Sequence, residues 1–87
     1  LMCKIKKLTV KRTKRTDHII LLTAKYEGNL HADPRAYNRT FADALRRMAD
    51  EISKVTDAWV DPEVVVWMHE PGKITAYVPL SSPVKRK

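Results

Sequence analysis

The sequence predicts a small α+β domain of ββαββ order: an antiparallel sheet of about four strands with one amphipathic helix packed on one face. Three observations carry the prediction. Phe41, Leu45, Met48, Ile52 and Val55 recur at i, i+4, i+7, i+11 and i+14, an apolar helical stripe. Two β-rich segments precede that stripe. Two more follow it and are joined by Glu70-Pro71-Gly72-Lys73, with Pro and Gly where a type II turn needs them. At 87 residues the chain holds one core, expected over residues 1–80, with 81–87 as a basic tail.

Residues 4–12 read as the first strand. Leu8 and Val10 select the inward set, which includes Lys6 and Arg12, and leave Lys7, Thr9 and Lys11 outside. Residues 13–17 are polar and lack glycine, so the reading is a loop tip carrying Lys14 and Arg15 rather than a tight two-residue turn. Residues 18–26 form the second strand and complete a hairpin. Gly28-Asn29 signals a turn, and Leu30–Ala32 has room for a short strand. The helix is expected from about Thr40, with Asp33 as N-cap and Pro34 at the first position as the longer alternative. Arg46, Arg47, Asp50, Glu51 and Lys54 take its polar side, while Leu45 and Ile52 lie mid-stripe. Residues 56–62 are a connector bearing Trp59. Residues 63–69 and 73–80 are the last two strands.

The second and third strands carry more apolar surface than one helix covers. Ile19–Leu22 and Val64–Met68 are apolar without interruption, as in strands buried on both sides. With Ile20, Leu22, Val65 and Trp67 toward the helix, the surplus face comprises Ile19, Leu21, Val66 and Met68, joined by Tyr77 from the last strand. A contiguous patch of that size points to self-association, a homodimer, or to a partner protein. The competing expectation is that residues 27–39 or the Trp59 segment fold over it.

Charge is segregated along the chain. Residues 1–15 carry +7, the last three residues +3, and residues 16–84 only −3, giving a net +7. Such asymmetry marks a polyanion footprint as well as a means of blunting edge strands. Lys4, Lys7, Lys11, Lys14 and Arg15 are the candidate phosphate contacts, assisted by Lys85, Arg86 and Lys87.

Other chemistries find little footing. Cys3, His18, His31 and His69 show no local metal-ligand spacing. Ser53, Ser81 and Ser82 lack a nucleophile motif. His69 and Glu70, adjacent on a strand, point to opposite faces. Gly28 and Gly72 are too far apart for a phosphate loop. The expectation is a non-enzymatic protein without metal, cofactor or small-molecule substrate. No apolar run is long enough to cross a bilayer and one cysteine excludes a disulfide framework, so the expected compartment is the cytoplasm.

Among nucleic-acid modules, the RNA-recognition and KH signatures are missing, and a single helix does not make a helix-turn-helix. A two-stranded ribbon is narrow enough for a major groove, and the basic N-terminal hairpin offers one. An aromatic platform lacks support because only Tyr77 is expected on an outer sheet face. The function expected is nucleic-acid binding through phosphates. The alternative is a protein-binding module, a small inhibitor or adaptor of a host machine, docking on an acidic partner by the apolar face or the ribbon.

Overall fold

The computed structural model describes residues 7–27, 33–68 and 70–81. It contains β1 (Lys7–Arg15), β2 (Ile19–Glu27), α1 (Pro34–Ser53), β3 (Trp59–Val60), β4 (Val65–Trp67) and β5 (Lys73–Ser81). The fold is α+β, with the ββαββ order expected and one additional two-residue strand. The sheet runs β1-β2-β5-β3, and β4 also pairs with β5. β3 lies beside Leu80 and Ser81, and β4 lies beside Thr75–Tyr77. Two short strands thus share one edge of β5, leaving a sheet four positions wide. Asp61 manages the step between them: its N–H donates to Pro79 O at 2.9 Å and its carboxylate accepts from Glu63 N at 2.9 Å. The strand expected over 63–69 is correspondingly short.

The first hairpin corrects the expected loop tip. β1 continues to Arg15, and the chain reverses over Asp17 and His18. Glycine is unnecessary because Thr16 supplies the partners. Its Oγ1 accepts from His18 N at 3.1 Å and Ile19 N at 3.2 Å, while its N–H donates to Ile19 O at 2.9 Å. The strand register shifts between Arg12 and Lys14, leaving Thr13 as an extra bulged residue. The bulge inverts the strand's alternation. Lys14 pairs with Leu21, and Arg15 pairs with the buried Ile20. Lys14 therefore faces away from the helix and Arg15 toward the helix side.

Asp33 and Pro34 begin the helix, the longer of the two expected starts. Asp33 accepts from Arg35 N at 3.0 Å, and Pro34 costs nothing where the first turn has no internal partner. Ala36, Thr40, Ala44 and Met48 form the buried row, with Tyr37, Phe41, Ile52 and Val55 packed at its margin. Leu45, expected mid-stripe, is 38% exposed. The buried row repeats every four residues, along one line of the helix surface. Leu45 falls out of phase with that row.

The core lies between this row and one sheet face: Ile20, Leu22, Ala24 and Tyr26 of β2 with Ile74, Ala76, Val78 and Leu80 of β5. Ile20, Leu22, Ile74 and Val78 are fully enclosed, each stabilising the fold by about 1.5–3 kcal/mol relative to exposure. The final turn follows the sequence reading. Lys73 N donates to Glu70 O at 3.3 Å, and Gly72 holds φ of 90°. Gly72 O accepts from Tyr26 N at 3.0 Å, which fixes the turn against the end of β2.

β4 has the opposite phase to that expected. Val66 pairs with the buried Ala76 and packs on the core, as does Met68, whose Sδ accepts from the Tyr26 hydroxyl at 3.7 Å. Val65 and Trp67, opposite Tyr77 and Thr75, take the outer side. Val66 and Met68 are therefore removed from the surplus face. The physical cause is register: the Gly72 turn sets the pairing, and in a fully apolar run either phase offers hydrophobic side chains to the core. Among the described residues, no helix is long and apolar enough to cross a membrane.

Candidate nucleic-acid interface

The sheet face turned away from α1 reads as successive cross-strand rows. Thr9 lies opposite Lys25, and Lys25 opposite Lys73. Next come Lys11, Thr23, Thr75 and Trp67, then Lys14, Leu21, Tyr77 and Val65. Ile19 and Pro79 follow, and the alternation of β5 places Ser81, with its partner Trp59, on the same side. The outcome is lysine and threonine on β1 and toward the end marked by Thr9, Lys25 and Lys73, with Ile19, Leu21, Tyr77, Val65 and Trp59 forming the apolar part toward the other end. Trp59 is 69% exposed, Val65 55% and Tyr77 38%. Trp67 is half-buried and forms part of the floor. At the lysine end, Thr9, Lys25, Tyr26, Glu27, Pro71 and Gly72 surround a shallow depression. Glu27 is an acid on this end of the face.

Most of the helix-side cations have intramolecular partners, although Arg35 and Arg39 of α1 make no ion pair among the described residues. On the helix side Arg12 approaches Glu51 at 4.0 Å, and Lys54 meets the same carboxylate at 2.9 Å. Arg46 meets Asp43 at 2.7 Å, and Arg47 donates to Leu8 O. Arg15 forks onto Asp57 at 2.9 and 3.0 Å. The Arg15 hydrogen bonds hold the Asp57 carboxyl below the usual carboxylate range, outweighing the opposing effect of desolvation. Lys11, Lys14 and Lys25 are exposed on the other side and make no ion pair among the described residues. Lys73 shares that side but meets Glu70 at 3.1 Å. Exposed pairs of this kind contribute little stability; their consequence is that they occupy the cations they hold.

The sequence-derived candidates separate accordingly. Lys11 and Lys14 come together on the outer face, joined by Lys25, which the sequence reading missed. Lys25 was legible in the alternation of β2, since it is out of phase with Ala24 and Tyr26. Arg15 is a correction: the Thr13 bulge brings it to Asp57, so it is neither at a loop tip nor free. The backbone of Lys7 pairs with Glu27 at the end of β1. Lys4, Lys85, Arg86 and Lys87 lie outside the described residues, as do Cys3, His31, His69, the Gly28-Asn29 turn and the Leu30–Ala32 segment. Of the expected apolar face, Ile19, Leu21 and Tyr77 remain outside the helix-covered core, while Val65 and Trp67 take the places given to Val66 and Met68. Trp59 joins them through β3, which the sequence reading treated as a connector.

The β1–β2 hairpin is not a projecting ribbon. β2 pairs with β1 and, over Ile19–Lys25, with β5 as well. Four strand positions about 4.8 Å apart span roughly 14 Å between the outer strand axes, wider than the ~12 Å major groove. A face of this width does not enter a major groove as a two-stranded ribbon would. No known protein family, curated protein or solved structure matches this chain.

Proposed function

We propose that the chain is a non-enzymatic nucleic-acid-binding domain that holds phosphates on its outer sheet face. The observation carrying this reading is the division of cations. Arg12, Arg15, Arg46 and Arg47 are committed to intramolecular partners, while Lys11, Lys14 and Lys25 share one sheet face and make no ion pair among the described residues. Three lysines on one face create a local positive potential that attracts a polyanion and steers its approach. Lys4, Lys85, Arg86 and Lys87 extend the contact in this proposal, consistent with the charge excess of both chain ends.

Fluorescence anisotropy with labelled oligonucleotides across a salt series is the test. Lysines that neutralise phosphates release counterions, at a log–log slope of about −0.7 per contact on a single strand and −0.9 on a duplex. Lys11, Lys14 and Lys25 together account for a slope of about −2 on a single strand, and further contacts from the ends steepen it. Lys11→Glu with Lys14→Glu should reduce both the affinity and the slope. The same reversals at Arg46 and Arg47 should have much less effect. No binding at low salt, or binding without salt dependence, refutes the proposal.

A second reading has its own observation: Leu21, Tyr77 and Val65 form a continuous apolar row on the same face. A second copy or an acidic protein docking on that row would compete with nucleic acid. Sedimentation velocity decides the homodimer form. A dimer dissolved by Leu21→Lys supports it, and a monomer at high concentration excludes it.

A further inference from the structure

We infer that the nucleic acid taken by this face is single-stranded, with bases stacked on Tyr77 and Trp59 and phosphates held by Lys11, Lys14 and Lys25. The inference rests on the phosphate-binding reading above and adds the strandedness of the ligand and the residues that select it. Its ground is the juxtaposition on one sheet face of exposed aromatic rings and of lysines that make no ion pair among the described residues. Tyr77 and Trp59 are the exposed aromatics among the described residues, and both lie on the lysine side of the sheet. Single-strand binders combine these two ingredients: a cationic track for the backbone and rings that stack on any base.

The spacing suits several consecutive nucleotides. Lys14 and Tyr77 share one cross-strand row with only Leu21 between them, so their Cα atoms are about 10 Å apart. Trp59 pairs with Ser81, four residues beyond Tyr77 along β5, a rise of about 13 Å. A chain crossing the sheet thus meets Lys14 beside Tyr77, with Trp59 further along the aromatic side. Val65 and Trp67 build up the apolar surface beside Tyr77. A duplex keeps its bases stacked on one another and presents only its backbone. It gains the lysines but not the rings.

The experiment compares labelled oligo(dT) and oligo(rU) single strands with a mixed-sequence duplex of equal length. Anisotropy is measured for the wild-type chain, Tyr77→Ala, Trp59→Ala, Tyr77→Phe, and the Lys11→Glu/Lys14→Glu pair, with circular dichroism confirming each fold. Each alanine variant should weaken single-strand binding about 5- to 150-fold, the range for losing one stacked base, and leave duplex binding within twofold. Tyr77→Phe keeps the ring and should retain single-strand affinity. Trp59→Phe should remove most of the tryptophan quenching seen on titration with a single strand. If both alanine variants bind the single strand as wild type does while the lysine pair remains impaired, the stacking inference is refuted and the phosphate reading stands. If the wild-type chain binds neither form at low salt, both fall. Tighter binding of the duplex than of either single strand also overturns the inference.

Discussion

Met48→Ala and Leu45→Ala should differ sharply, although both residues belong to the same apolar stripe in sequence. Met48 is 2% exposed and sits in the core among β2 and β5 residues, whereas Leu45 is 38% exposed. Truncating an enclosed methionine removes its packing and leaves a cavity, a loss of about 2–5 kcal/mol. Truncating Leu45 removes a side chain already partly in water and opens no enclosed space. Fully burying a leucine is worth about 1.5–3 kcal/mol, so a partly exposed one should lose about 1 kcal/mol. For a domain of this size each kcal/mol shifts Tm by roughly 4–8 °C. Met48→Ala should therefore lower Tm by about 8–40 °C, and Leu45→Ala by about 4–8 °C. Thermal unfolding followed by circular dichroism, with urea midpoints as a second measure, reads both. An equal or greater loss at Leu45 would show that the helix is rotated from the position described, and the core assignment would fail.

Gly72→Ala should destabilise by about 1–2 kcal/mol, since φ of 90° is strained for an L-residue. The added Cβ would meet only Tyr26 O at an ordinary 3.5 Å, so a loss well above that range in urea unfolding would contradict a purely conformational cost. Asp57 should titrate below ordinary aspartates by NMR and return toward them in Arg15→Ala, because Arg15 hydrogen bonding is the main cause of its lowered pKa. A carboxyl depressed on folding stabilises the native state above its unfolded value, and that contribution disappears as pH falls through the folded one. An unchanged Asp57 titration in Arg15→Ala would remove the pair as the cause.

Several features of this protein were legible in its sequence. The helix, the Pro71-Gly72 turn, the two early strands and the α+β order follow from periodicity and turn chemistry. These are local properties carried by neighbouring residues: Asp33 accepts from Arg35 N two residues on, and Gly72 supplies its own positive φ. The concentration of basic charge at the chain ends was equally plain, and Lys11 follows from the alternation of its strand.

Tertiary structure decided which way the side chains face. In β4 the run Val64–Met68 is apolar at every position, so its pattern contains no phase, and pairing with β5 chose Val66 for the core. In β1 one extra residue at Thr13 exchanged the sides of Lys14 and Arg15, a change that residue types alone do not announce. In the helix, docking on the sheet placed Ala36, Thr40, Ala44 and Met48 in the buried row and left Leu45 at its margin. Trp59 entered the outer face only because two residues pair with the end of β5. Each outcome depends on contacts between distant parts of the chain. Hydrophobic periodicity determines that a segment has an inner side, but where both sides are apolar or the count shifts by one, only the partner strand determines which side it is.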